Sequence, residues 1–320
     1  MSLRVRALKS ILPPSAVQMA RGLHTCLPGV RRSWRRTGGT DSAPYCYEVF
    51  LKHRTLCAQA GMASAPASVA EIGPGDSIGI GLAALVAGSE RYAAFDVVPY
   101  SISEHNERIF EELIGFFQER RPNRSWGWPS YDHLLDERFF PSRILDEDAL
   151  RRSLDPMRLD DIRAALAGGR EQSRIAYHCP WTSDATIEPE SVDWIYSHSV
   201  MEHVDDVEGA YAAMHRWLRP GGFVSHQIDL RSHELFPEWN GHWGVPRWKW
   251  RVIRGRRVYL INRLPASAHA RAIRRFFEVR AELFAEEEGG LPDRRLRAPF
   301  DHLDDRDRHT SGYFVVAVKR

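Results

Sequence analysis

The sequence lacks the marks of several protein classes. Its four cysteines, Cys26, Cys46, Cys57 and Cys179, make no CxxC pair and no Cys/His cluster at zinc spacing. That argues for reduced, mostly structural thiols in a cytosolic setting, and against disulfides or zinc. No run reaches the roughly 18 apolar residues needed to span a bilayer, and no charged start leads into an apolar core with a small-residue cleavage site. A soluble protein is expected. An excess of one charge is missing too: 44 basic residues face 42 acidic ones, so net charge names no partner. What remains, 43% hydrophobic and 27% charged residues over 320 positions, suits one large α/β domain with insertions.

One local absence stands out. Residues 1–40 hold Arg4, Arg6, Lys9, Arg21, Arg31, Arg32, Arg35 and Arg36 but no acid. Such a start fits a mitochondrial transit peptide, a basic arm for phosphates or a solvated helical lead-in. The lead-in is favoured, because Pro13-Pro14 interrupts the amphipathic helix that a membrane-binding arm would need. Residues 1–60 are therefore read as a basic, partly helical lead-in to a domain over 61–320, in a cytoplasmic protein with a mitochondrial location as the alternative.

From Tyr45 onward, helical segments alternate with short apolar strands, beginning with a helix over 47–60 and a strand over Ser68–Ile72. Further strands are read at 92–96, 174–178, 192–197, 223–228, 277–283 and 313–319. The alternation predicts a mostly parallel, doubly wound sheet with helices on both faces, the last strands pairing antiparallel at its end.

The loop after the first strand, Glu71-Ile72-Gly73-Pro74-Gly75-Asp76, removes side chains where the backbone must turn and a ligand could approach the next helix. Its glycines do not form the GxGxxG of dinucleotide-binding proteins. Asp76 would also place a carboxylate beside a pyrophosphate, which is unfavourable. A ligand carrying a sulfonium and an amino group suits Glu71 and Asp76 better. Asp96 ends the second strand, 23 positions after Gly73, about where an α/β nucleotide site holds a ribose. Asp184, in Ser183-Asp184-Ala185, follows the third strand and could receive an adenine amino group. The fourth strand runs into Ser197 to Val204. Asp205-Asp206 then caps a helix with Val207, Ala210, Tyr211, Met214 and Leu218 on one face, closed by Arg219-Pro220-Gly221-Gly222.

In this order the motifs resemble the class I S-adenosylmethionine-dependent methyltransferases, over roughly Val69 to Phe223, and are similar to bacterial members of unassigned substrate. The resemblance implies a Rossmann-like seven-stranded sheet with an antiparallel last strand, and S-adenosylmethionine as cofactor. It places Gly73 and Gly75 beside the methionine portion, Asp96 on the ribose, Asp184 and Ala185 on adenine, and Glu71 on the amino group directly or through water. Asp76 and Ser197 complete the expected cofactor set.

Two aromatic-rich stretches exceed a minimal domain: about 118–172, with Trp126, Trp128, Tyr131, Phe139 and Phe140, and about 234–272, with Trp239, Trp243, Trp248 and Trp250. Either could be a lid or a second small core. Methyl transfer needs alignment and exclusion of water more than catalytic groups, but a hydroxyl acceptor gains from a base. Glu202, His203, His226, Asp229 and His233 are all expected on the cleft side, with His203, Glu202 and His226 as catalytic candidates. Strand-to-loop spacing does not put these residues on one face, so no metal site is expected.

The acceptor is read as a small molecule or glycan offering an oxygen. RNA, reached through the basic N-terminal arm, is the alternative acceptor, although the chain has no Asn-Pro-Pro-Tyr-type motif and no recognised RNA-binding module. A nicotinamide-dependent oxidoreductase and a catalytically silent binding subunit are the remaining alternatives, and the sequence is silent on oligomeric state.

Overall fold

The computed structural model describes residues 13–28, 40–101, 103–122, 127–129, 140–168, 174–181 and 186–320. Runs rich in β-branched and aromatic residues form β1 (Ser68–Ile72), β2 (Arg91–Phe95), β3 (Ile175–His178), β4 (Val192–His198), β5 (Leu218–Asp229), β6 (Glu278–Glu286) and β7 (Thr310–Val318). They make one seven-stranded sheet in the order β3-β2-β1-β4-β5-β7-β6. The first five strands pair in parallel. β7 runs antiparallel to both β5 and β6.

The reversed strand therefore lies inside the sheet and β6 forms the edge, a refinement of the expected terminal pair. Burial explains the order. All nine residues of β7 are buried, as suits a strand covered on both faces and flanked on both sides. β6 carries Glu278, Arg280, Glu282 and Glu286, half-buried or exposed, and charged side chains blunt an open edge.

The helices are α1 (Pro14–His24), α2 (Ala43–Gln59), α3 (Gly79–Val86), α4 (Ser103–Gln118), α5 (Glu147–Ser153), α6 (Pro156–Leu166), α7 (Val207–Trp217), α8 (Arg247–Arg254), α9 (Ala266–Arg274) and α10 (Asp305–His309). Alternation along the strands sends Val69, Tyr92, Trp194, Tyr196 and Phe314 into one core with α2 to α6. Ala70, Phe95, Ile195, Val224 and Val315 enter a second core with α7 and α9. α2 begins earlier than its apolar pattern suggests, because Pro44 is well placed in a first turn. α7 starts where the Asp206 carboxylate accepts the Gly209 N–H at 2.9 Å, and cap bonds of this kind stabilise by about 1 kcal/mol.

α1 is docked against α8. A Cβ on Gly22 would come within 1.9 Å of the Val252 carbonyl oxygen, so this approach requires glycine. Gln18 Nε2 also donates to the Leu235 carbonyl at 3.2 Å. The tryptophans of the second aromatic stretch are largely packed: Trp239 and Trp243 with Leu291, Leu296 and Phe300, Trp250 with Val245, Ile253 and Leu260. Trp248 is 60% exposed.

Candidate active site

The loop after β1 turns through two left-handed glycines, Gly73 at φ 69° and Gly75 at φ 75°, a conformation that side chains disfavour. Gly73 is also crowded: an added Cβ would lie 2.6 Å from a methyl of Val200. The stretch before α2 closes over this loop. The Asp76 N–H donates to Thr40 Oγ1 at 2.7 Å, and the Ser77 hydroxyl donates to the Thr40 carbonyl.

Asp96 follows β2 and is 7% exposed. Its Oδ1 accepts the N–H groups of Val97 at 2.7 Å and Val98 at 3.2 Å. Burial raises its carboxyl above the usual range, and backbone N–H donors oppose that shift. Asp96 and the two loop glycines thus converge at the carboxyl ends of β1 and β2. Asp184 and Ala185 lie outside the described residues.

Two expected cofactor residues sit elsewhere. Glu71 accepts hydrogen bonds from the hydroxyls of Tyr92 and Tyr196, beneath the loop. Burial pushes its carboxyl up to about 7 against these bonds and one from the Gly81 backbone. Strand alternation sends its side chain to the α3 face of the sheet, so it supports the loop from below. Ser197 is fully buried, its Oγ 2.8 Å from His226 Nδ1.

His226 itself departs from the expected cleft position. Ser225 points to the other face, meeting His53 and Trp194, so its neighbour His226 must face α7. There its ring meets Tyr211 edge-on at 5.5 Å, and burial lowers it to about 3. His226 is a core histidine, remote in orientation from Glu202 and His203.

Glu202 and His203 do come together with His233. One potential ligand atom from each lies within 4.8 Å of the others, a convergence that spacing along the chain did not suggest. Glu202 is 2% exposed, and neither of its carboxylate oxygens has a hydrogen-bond partner. Burial and nearby Asp229 hold its carboxyl well above the usual range, opposed by the backbone N–H groups of Glu202 and Asp229, which lie close to it without meeting hydrogen-bond geometry. His203 Nδ1 is also buried without a partner, and burial lowers the ring to about 3, so it is neutral at pH 7. Asp229 adjoins the group, its carboxylate paired with Arg231 at 2.8 Å.

Several neighbours were not foreseen. Tyr259, beyond α8, meets the His203 ring edge-on at 5.5 Å, and its hydroxyl contacts that of Tyr100 from the loop after β2. The second aromatic stretch therefore reaches the cofactor side of the cleft. His198 Nδ1, at the end of β4, is 3.1 Å from His53 Nε2, and His53 Nδ1 is 2.9 Å from Ser225 Oγ. Nothing in the pattern of α2 marks His53 as a partner of β4.

Residues 154–225 match the family model described as a methyltransferase domain. With the sheet order and the glycine loop, this match, though it covers under half of the chain, supports a class I S-adenosylmethionine-dependent methyltransferase with S-adenosylmethionine as cofactor. No curated protein matches the sequence. Among solved structures, the chain is similar at 15% identity and TM-score 0.35 to an S-adenosylmethionine-dependent methyltransferase from Mesorhizobium loti, covering 88% of this chain and 100% of that one. It is similar at 12% identity and TM-score 0.38 to the N-methyltransferase NodS from Bradyrhizobium japonicum in complex with S-adenosyl-L-homocysteine, covering 96% and 99%. A third similarity, at 13% identity and TM-score 0.41, is to phosphoethanolamine N-methyltransferase 2 from Haemonchus contortus with S-adenosyl-L-methionine, covering 92% of this chain and 61% of that one.

The residues at the site fit this cofactor. The two positive-φ glycines offer a cradle that a Cβ at Gly73 would fill, and a buried carboxylate stands at the end of β2. Among the described residues no helix is long and apolar enough to cross a membrane.

Proposed function

We propose that the protein methylates an oxygen of a small-molecule or glycan acceptor bound at the carboxyl ends of β4 and β5. The observation that carries this reading is the buried pair of Glu202, with both oxygens unpartnered, and His203, with an unpartnered Nδ1. Buried polar groups are rarely left unsatisfied, and an acceptor hydroxyl would satisfy both. A carboxylate made more basic by burial, beside a neutral imidazole, is also suited to take the hydroxyl proton during transfer.

When bound, S-adenosylmethionine supplies a methyl group already activated by its sulfonium. The chain's task is then alignment and exclusion of water. Asp96 would accept hydrogen bonds from the two ribose hydroxyls, while Gly73, Gly75 and Asp76 would line the methionine portion. Asp184 and Ala185 are assigned to adenine. Glu71, held by Tyr92 and Tyr196, acts as a positioning residue for the loop. Ser197 and His226 lie on the α7 face and contribute packing. The balanced charge and the absence of a nucleic-acid motif favour a small acceptor over RNA, and the cysteine usage supports a cytoplasmic setting.

The test has two stages. Titration calorimetry with S-adenosylhomocysteine should show one site, weakened about 100-fold by Asp96→Ala, since two charge-assisted hydrogen bonds are lost at about 1.5 kcal/mol each. Labelled methyl transfer to a panel of hydroxyl-bearing and amine-bearing acceptors should then yield methyl ethers, and Glu202→Gln should lower kcat more than it changes KM. Exclusive N-methylation, or an affinity unchanged in folded Asp96→Ala, would overturn the reading.

A further inference from the structure

We propose that Glu202, His203 and His233 form a binding site for one divalent transition-metal ion at the carboxyl ends of β4 and β5. The geometry is the first support. One donor atom from each residue lies within 4.8 Å of the others. Ligands of a tetrahedral ion with bonds of about 2.1 Å stand about 3.4 Å apart, so side-chain rotation of about an ångström completes the site.

The second support is unmet need. Glu202 is 2% exposed, and both its oxygens and His203 Nδ1 are buried without hydrogen-bond partners. An ionised carboxylate in such a place is strongly disfavoured unless a cation or several donors meet it. The guanidinium of Arg231 does not serve, since its Nε and Nη2 are both directed at Asp229, at 2.9 and 2.8 Å. His233 Nε2 lies 3.8 Å from Glu202 Oε1 and 3.8 Å from Asp229 Oδ2. Those separations are too long for hydrogen bonds; the same nitrogen also lies 3.4 Å from the Asp229 carbonyl oxygen, a long contact that an ion would replace.

The donor set selects the ion. One carboxylate oxygen with two imidazole nitrogens suits zinc, manganese, iron or cobalt, and is poor for calcium or magnesium, which prefer all-oxygen shells. The loop after β5 folds back to present His233 through consecutive left-handed residues, His233 at φ 48° and Glu234 at φ 59°. The His203 ring, 4.9 Å from that of His233 and 5.5 Å from that of Tyr259, packs between the two. Asp229 stands beside the ligands, where it can orient His233.

The consequence for catalysis rests on the proposed oxygen acceptor. Both readings draw on the same buried pair: with an ion held there, Glu202 and His203 would be its ligands and would no longer be available to partner the hydroxyl or take its proton. Binding of the ion itself needs neither methyl donor nor acceptor, so the two readings can fail separately.

The experiment is calorimetric titration of the chelator-stripped full chain with zinc and, separately, manganese, without S-adenosyl compounds. Wild type should bind one equivalent of at least one of the two ions. His233→Asn should weaken that binding at least tenfold, in line with the usual loss of a metal-site residue. Asparagine tolerates the positive φ and the His233 side chain is 30% exposed, so this variant should fold. Glu202→Gln should abolish binding, and His302→Asn, in a histidine with an 89% exposed side chain, should leave it unchanged. Absence of binding in wild type, or unchanged affinity in folded His233→Asn, would overturn the proposal.

Discussion

Replacing His269 with leucine should stabilise the protein more in acid than at neutral pH. His269 lies on α9, fully buried in the core beneath α7, and both of its ring nitrogens lack partners. Burial lowers it from 6.5 to about 4. A depressed histidine is a site that the unfolded chain protonates and the native chain refuses, so stability falls as pH drops below about 6.5. Between about pH 7.5 and about pH 5, the unfolded state gains nearly one proton here that the folded state does not. That linkage amounts to about 2 kcal/mol.

His269→Leu removes this penalty and two unsatisfied buried nitrogens. The variant should gain about 1–3 kcal/mol at neutral pH and about 2 kcal/mol more near pH 5. Urea unfolding of both proteins at the two pH values, with unchanged m-values, reads the difference directly. A pH-dependent part below about 0.5 kcal/mol, or of opposite sign, would refute a neutral, unpartnered His269.

Two further predictions concern the cofactor loop. Gly73→Ala should weaken S-adenosylhomocysteine binding at least tenfold, because a left-handed alanine costs about 1 kcal/mol and its methyl would press on Val200 at 2.6 Å; adding Val200→Ala should restore part of the affinity. Glu71 carries the opposite linkage to His269. Its carboxyl is raised to about 7, so its contribution is present below the unfolded value of about 4.5 and is lost as pH rises through about 7. Glu71→Gln should remove a fall on the order of 2 kcal/mol between about pH 5 and about pH 8, seen as a smaller drop in Tm over that range.

The parts of this molecule that local chemistry dictates are legible in the sequence. β1 to β4 follow their apolar runs, and the turn at Gly73 and Gly75 follows from two positions that only glycine fills easily. β5 instead begins at Leu218, so Leu218 and Arg219-Pro220-Gly221-Gly222, read as helix face and turn, belong to the strand, where Leu218 pairs with Val192. Features decided by pairing between distant segments are less visible. Position 226 faces α7 together with Val224 and Ile228, but β5 is buried on both faces there, and without polar–apolar alternation its facing cannot be counted from the sequence. Glu71 meets hydroxyls from β2 and β4, partners that its own strand does not announce. His233 reaches Glu202 only because two successive side-chain-bearing residues adopt positive φ, against their usual preference. Aromatic density in the second stretch signals order, yet it does not separate Trp243, sunk in a small core, from Tyr259, which reaches the cleft.

The position of β7 between β5 and β6 has a consequence for how the chain is made. β6 emerges from the ribosome before the strand that joins it to the sheet, so until Thr310–Val318 has been synthesised, β5 ends in an open edge and β6 has no partner. Nascent chains stalled in this window would present a bare apolar ladder to one another. The protein should therefore draw most heavily on holding chaperones in the interval between the synthesis of β5 and that of β7, after the cofactor loop and the ends of β4 and β5 have already been laid down.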